Sequence, residues 1–291
     1  MAVGRTRPEI VLAATVAAVM RCVYVDLDGT LLGPNASLLT GADGGFSLLG
    51  MRALEACARA GAEVVIYSGR KQSSVFEGAR LIGSSAYIFE LGCGLVLDGE
   101  LEWLTGGLVP TPDRGSIFAQ IEATGAPALL LERFAGALEY HTPWAAERDV
   151  SHLFRGNVGL DEAHTALAEA GLGWLRLVDN GVVHSVAELM PGLPAVHAYH
   201  LIPAGSSKAA AVARHMQARG YVREECIAVG DSREDMETAS VVGAFWLVAN
   251  ALERDLTLAT DVTGRAGVRV AAEGYGAGVY EAVVTTLAER R

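Results

Sequence analysis

Residues 21–32, RCVYVDLDGTLL, are the stretch on which the reading of this chain turns. Cys22 to Val25 form a short apolar run with β-branched residues, the signature of a buried strand, and Asp26 and Asp28 follow before Gly29 breaks the run. Alternate residues of an extended chain point the same way, so both carboxylates can face one site at the carboxyl end of that strand. In open α/β sheets this is where ligands bind. An Asp-Gly turn leaving a strand is the plain reading. A nucleophile and an acid/base sharing a cation is the sharper one.

Further along, the same design recurs. Apolar Leu48, Met51, Leu54 and Ala58 predict a helix over Ser47 to Ala60 that stops at Gly61. A strand from Glu63 to Tyr67 then ends in Ser68-Gly69-Arg70, which places a hydroxyl at a second carboxyl end. Ser68 could equally be the N-cap of the next helix, Lys71 to Leu81. Gly33 to Asn35 and Gly41 to Gly45 read as a loop that either covers the site or merely connects. Ala86 to Phe89 predicts a strand, and Leu95 to Trp103 a hairpin turning at Asp98-Gly99.

Between Leu108 and Leu201 the rhythm changes to strands and helices in mixed order. A short helix is expected at 114–123, a hairpin from Leu129 to His141 turning at Ala135-Gly136, a helix from Asp161 to Ala170, and a hairpin from Trp174 to Val186 turning at Asn180-Gly181. This insert holds His141, His152, His164, His184, His197 and His200, with only His215 outside it. Their spacing gives no metal-ligand motif, so hydrogen-bonding roles are the default. Arg133, Arg148, Arg155, Arg176, Trp144 and Trp174 nonetheless suit recognition of anionic, hydroxyl-rich ligands.

The α/β rhythm returns at Pro203 to Ser207, which leads into a helix to Arg219 with Lys208 in its first turn. The helix dipole disfavours a cation there, so the lysine is best explained by a shared anion, against an ordinary exposed lysine. A strand, Cys226 to Val229, ends in Gly230-Asp231-Ser232-Arg233-Glu234-Asp235, whose two aspartates suit a hard, oxygen-seeking cation. A helix to Val242, a strand from Ala244 to Val248 and a helix from Tyr275 to Arg290 complete the expected elements.

DLDGT, Ser68, Lys208 and GDSRED in this order resemble the four motifs of the haloacid dehalogenase-like phosphohydrolases. The 42 residues from Asp26 to Ser68 leave little room for an inserted domain, whereas the 140 from Ser68 to Lys208 hold one easily. The resemblance is therefore to the subgroup with a large α+β cap, such as Cof-type, sucrose-phosphate and mannosyl-3-phosphoglycerate phosphatases. It implies a Rossmann-like, doubly wound α/β core over 21–107 and 202–291 and an α+β cap over 108–201. It also implies an aspartyl-phosphate mechanism in which Asp26 is the nucleophile, Asp28 the acid/base, and Ser68 and Lys208 the phosphoryl holders. Leu27, Gly29, Thr30, Gly69 and Arg70 would bind the phosphate, and Asp26, Asp28, Asp231 and Asp235 would serve Mg²⁺. Glu234 and Leu91 depart from the Asn found at those places in many Cof-type relatives. The expected substrate is a sugar phosphate or glycosylated phosphoglycerate. A phosphomutase, or a silent sugar-phosphate-binding protein on the same fold, is the alternative.

Composition sets the outer bounds. With 291 residues, 51% of them hydrophobic, the chain can bury a large core, and a net charge of −11 disfavours nucleic acid as a partner. Cys22, Cys57, Cys93 and Cys226 are scattered without a C-x-x-C pair, so neither a zinc site nor a disulfide framework is expected, and a reducing cytoplasm fits. Residues 1–20 combine Arg5 and Arg7 with an eleven-residue apolar run, too short to span a bilayer, and are read as an appended helix. Met20 is an alternative natural start. No membrane partner is expected, and the sequence leaves the oligomeric state open.

Overall fold

The computed structural model describes residues 19–183, 190 and 192–290, so the helix expected over 1–20 lies almost wholly outside the described residues, as does His184. In chain order the strands are β1 Cys22–Val25, β2 Glu63–Tyr67, β3 Ala86–Phe89, β4 Gly94–Leu97, β5 Glu100–Trp103, β6 Leu138–Tyr140, β7 His152–Gly156, β8 Leu175–Val182, β9 His197–Pro203, β10 Cys226–Gly230, β11 Ala244–Leu247 and β12 Val268–Val270. The helices are α1 Leu49–Ala60, α2 Gln72–Ile82, α3 Ile117–Glu122, α4 Ala126–Arg133, α5 Leu160–Glu169, α6 Lys208–Arg219, α7 Arg233–Met236, α8 Ala249–Arg254, α9 Leu258–Val262 and α10 Tyr275–Glu289.

Eight strands form one sheet in the order β12-β11-β10-β1-β2-β3-β4-β5, parallel from β12 to β3 and antiparallel beyond. β1 is buried on both faces. Val23 and Val25 pack with Ala53 and Cys57 of α1, Val75 and Ala79 of α2, and Val279 and Ala282 of α10. Cys22 and Tyr24 face Ala211, Val212 and Met216 of α6 and Met236 of α7. Helices on both faces of a mainly parallel sheet make the doubly wound α/β core that the motifs led us to expect. Because β1 is followed in space by β2 on one side and β10 on the other, the crevice at their carboxyl ends is the switch point of the sheet.

Residues between β5 and α6 build a second, antiparallel sheet in the order β6-β7-β9-β8, backed by α3, α4 and α5 around Ile117, Leu130, Phe154, Leu167 and Leu201. It departs from the sequence expectation at two places. The expected hairpin from Leu129 to His141 is helix α4 followed by the short strand β6, because Leu130 of the apolar run Leu129 to Leu131 packs into a helical core with Ala126. The expected turn at Asn180-Gly181 is not a turn. β8 runs through it to Val182 with an irregularity in its pairing to β9 after Asp179, so the Asn-Gly pair serves a bulge. The Asp98-Gly99 hairpin is as expected, with φ of 52° and 89° at its two central residues. In α1 the buried face is Gly50, Ala53 and Cys57, while Leu48 and Met51 are exposed. α8, α9 and β12 gave no sequence signal that stood out.

Candidate active site

Asp26 continues β1 by donating its N–H to the Val229 carbonyl, 3.1 Å away, which carries its side chain to the carboxyl end of the sheet. Only 5% of Asp26 is exposed. Lys208, the first residue of α6, is fully buried and donates to Asp26 Oδ1 at 2.9 Å and to Asp235 Oδ1 at 2.6 Å. The lysine is thus no solvent cation. Burial works against its charge, yet Asp235 and Asp26 hold its pKa above the ordinary value. Burial pushes the Asp26 carboxyl up against the pull of Lys208, with Asp235 and Asp231 adding to the rise.

The 230–235 loop is shaped by a capping box. Asp235 Oδ2 accepts from the N–H groups of Asp231 and Ser232 and from the Ser232 hydroxyl, while Ser232 Oγ accepts from the Asp235 N–H. With Oδ1 on Lys208, the Asp235 carboxylate is therefore saturated by protein donors. Asp231 is held by Arg254 Nη1 at 2.5 Å and by the Thr30 hydroxyl at 3.2 Å. Burial pushes Asp231 up to about 6 although Arg254 opposes it. Oxygens of Asp26, Asp231 and Asp235 lie within 4.8 Å of one another. The carboxylates of buried Asp26 and partly buried Asp231, with Asp235 behind them bracing the loop, form an all-oxygen donor set that fits a hard divalent ion such as Mg²⁺.

Gly29 is required beside them. Its φ is +82°, and a Cβ there would lie 2.3 Å from Asp231 Oδ2. Buried Asn250 fixes it, donating to the Gly29 carbonyl at 2.8 Å and accepting from the Tyr275 N–H. Leu27, by contrast, sends its side chain into the core. Thr30 is also fully buried, its hydroxyl spent on Asp231.

Asp28 projects outward and is gripped by Arg70, with Nε and Nη2 at 2.6 and 2.5 Å from its two oxygens. Ser68 is buried at the end of β2, and its hydroxyl accepts from the Arg70 N–H at 3.3 Å. It is not the N-cap of α2, a position held by Lys71, so the capping explanation falls. Gly69 faces the insert: a Cβ there would lie 2.9 Å from Asn180 Nδ2 and 3.2 Å from His200 Nε2.

The two sheets enclose a cavity of about 990 Å³. Its floor includes Asp26, Asp28, Ser68, Arg70 and Asp231, and its insert side includes His141, Trp144, Arg148, Asn180 and His200. Of the five insert arginines only Arg148 is among the lining residues, and it is buried, donating to the Gly69 carbonyl and, at 2.8 Å, to Ser151 Oγ. It also pairs with Glu90, whose carboxylate accepts from the N–H groups of Asp149, Val150 and Ser151. Arg133 pairs with Glu162, Arg155 with Glu139, and Arg176 with Glu234. Most of the histidines bond within the fold: His152 to the Phe118 carbonyl, His164 to the Leu177 backbone, His197 to Asp179.

The two motif departures have structural sites. Glu234 accepts from Arg176 and from the Lys208 N–H, tying β8 to the start of α6. Leu91 sits at φ 57°, a left-handed conformation that Asn tolerates better than Leu. Arg254 and Asn250 were missed by sequence reasoning, and Arg148, singled out as a ligand-binding cation, instead holds the Gly69 carbonyl and Glu90, since no local pattern tells which distant carboxylate or carbonyl each one meets.

Residues 196–267 match the family model of haloacid dehalogenase-like hydrolases. The chain is 26% identical over 265 residues to a phosphoglycolate phosphatase of Methanoculleus marisnigri, covering 91% of this chain and 95% of the relative. It is 28% identical over 267 residues to one from Pyrobaculum neutrophilum, covering 90% and 94%. In fold it is similar to the sucrose-phosphatase of Synechocystis, solved with sucrose and phosphate, with a TM-score of 0.61 at 16% identity over 92% of this chain and 98% of that one. A Thermoplasma acidophilum protein gives 0.58 at 18% identity, again over 92% and 98%. The family match thus takes in Lys208 and the 230–235 loop, while the likeness to the two phosphatases extends over about nine-tenths of the chain.

Proposed function

We propose that this chain, a phosphatase of the haloacid dehalogenase type, hydrolyses a small phosphomonoester through an aspartyl-phosphate on Asp26, with Mg²⁺ as cofactor and a sugar phosphate or glycosylated phosphoglycerate as substrate. The observation that carries the proposal is the buried Asp26, held on Oδ1 by Lys208 beside Asp231 and opening into the cavity. Asp26, Asp231 and the Asp28 main chain would hold the metal, with Asp235 supporting the loop. When bound, Mg²⁺ supplies positive charge that offsets the repulsion between a dianionic phosphate and the carboxylates.

The residues of the chain do the rest. Lys208 fixes one Asp26 oxygen and leaves the other to attack phosphorus as the bond to the leaving oxygen breaks. Asp28, released from Arg70 and protonated, gives its proton to the leaving alkoxide. It then takes a proton from the water that attacks the phosphoryl-aspartate, which frees inorganic phosphate and restores Asp26. Ser68, the Gly69 and Arg70 loop and Lys208 hold the equatorial oxygens, where charge grows in the transition state. The insert acts as a cap whose His141, Trp144 and Asn180 meet the remainder of the substrate.

Phosphoglycolate is a second candidate, supported by the names of the two full-length relatives. Phosphate release from sugar phosphates, glycosylated phosphoglycerates, phosphoglycolate and an aryl phosphate, each with and without Mg²⁺, tests the reading. We expect Mg²⁺-dependent release with a clear preference for one class. Transfer of phosphate to a sugar hydroxyl instead of water would identify a phosphomutase, and no turnover of any substrate would overturn the proposal.

A further inference from the structure

Four residues collect at the amino end of β1, remote from the carboxylates. Cys22 opens the strand, and its in-register neighbours are Glu63 on β2 and Cys226 on β10. Parallel strands in register turn these side chains to one face, and that face is covered by α6, which brings His215 down upon them. Cys22, Cys226 and His215 are completely buried. Sulfur of Cys22, a carboxylate oxygen of Glu63 and a ring nitrogen of His215 lie within 4.8 Å of one another.

His215 supplies a second, independent observation. Its Nδ1 is hydrogen-bonded to the Tyr24 hydroxyl at 2.8 Å, while its Nε2 is buried without a hydrogen-bond partner among the described residues. In the tautomer whose Nδ1 donates to the tyrosine oxygen, Nε2 is the bare nitrogen that a metal takes, fixed in direction by the bond behind it. Glu63 Oε2 stands 3.7 Å from Nε2, too far for a hydrogen bond. Two ligands of a tetrahedral ion with bonds of about 2.0–2.1 Å are separated by roughly 3.4 Å, so this gap is close to the edge of such a tetrahedron. Glu63 is itself oriented by Tyr221 at 2.9 Å and Arg219 at 3.1 Å, the outer support that metal-binding carboxylates have.

We infer that Cys22, Glu63 and His215, beside the in-register Cys226, form a second metal site for a borderline divalent cation of the Zn²⁺ class. Sulfur and imidazole prefer such an ion to Mg²⁺, whereas the all-oxygen set at Asp26 has the opposite preference. On binding, the metal–sulfur bond replaces the S–H bond of Cys22, and the proton leaves to solvent. No electron is transferred. Such an ion would clamp β1, β2 and α6 together at the end of the sheet away from the cavity.

Titration of the purified, metal-stripped full chain with Co²⁺ in excess Mg²⁺ tests this. The expected result is about one Co²⁺ per chain with a thiolate-to-cobalt charge-transfer band, displaced by Zn²⁺, together with a Zn²⁺-induced rise in Tm. Cys22→Ser and His215→Gln should each lose the band and the Tm rise while keeping Mg²⁺-dependent phosphatase activity. Absence of the band from the parent protein overturns the proposal, a result that needs no variant to fold. A band that persists unchanged in both variants overturns it equally.

Discussion

The two ends of β1 are built from the same neighbours and gather opposite chemistry. At the carboxyl end, Asp26 follows β1, Ser68 follows β2, Asp231 follows β10, and α6 contributes Lys208. At the amino end, β1 supplies Cys22, β2 supplies Glu63, β10 supplies Cys226, and α6 contributes His215. Seven residues of helix rise about 10 Å, and four residues of strand span about 13 Å, so one helix running back along one strand serves both ends. The carboxyl end uses residues just past the ladder, where loops can turn charged groups toward a cavity. The amino end uses residues inside the ladder, where register decides who meets whom and burial favours thiol and imidazole over unpaired charge.

Asp26→Asn tests that division with the largest effect: kcat should fall by at least about a thousandfold, because an amide cannot form the acyl-phosphate. Near-ultraviolet circular dichroism and the amino-end thiols should be unaffected. Turnover within tenfold of the parent, with deamidation excluded by mass spectrometry, would remove the nucleophile from the carboxyl end. Chelation should likewise bring phosphate release to background, with Mg²⁺ alone restoring it. Restoration by Zn²⁺ but not Mg²⁺ would break the assignment of hard and soft ions to the two ends.

Lys208→Met should cost about 3–5 kcal/mol in urea unfolding, since it strands Asp26 and Asp235 as buried, uncompensated charges at the end of the helix both sites share. A loss under 1 kcal/mol would mean that the carboxyl end tolerates its charge without the lysine. For Arg148→Met, which takes the guanidinium from the Gly69 carbonyl and from Glu90, we expect about 1–3 kcal/mol and a raised KM. An unchanged KM would separate the insert from the phosphate loop. Arg133→Ala, distant from both ends and paired with Glu162 on the surface, should change stability by less than about 1 kcal/mol and leave kcat/KM as it is. A large kinetic effect there would show that the insert selects substrate through residues outside the cavity.

Contiguity explains which parts of the site could be read from sequence. DLDGT and GDSRED are legible because a strand, a turn and a carboxylate must follow one another within a few residues, and each step leaves a residue-type signal. Asp235 was legible as one of two aspartates bracketing that turn, and the structure adds that it closes a capping box with Ser232. The insert is less legible: Leu129 to Leu131 and the Asn180-Gly181 pair carry local patterns that helix packing and a bulge override.

From the sequence alone came the α/β core, the order of the four motifs, and the positions of Asp26, Asp28, Ser68, Lys208 and Asp231, because these depend on local propensity and short-range spacing. Only the tertiary structure decided that Asp28 rests on Arg70, that Arg254 holds Asp231, that Arg148 spans from the insert to Gly69, and that Cys22 meets His215 across 193 residues of chain. Those pairings arise from strand order, register and helix placement, and each joins residues whose neighbours in sequence carry no trace of the partner.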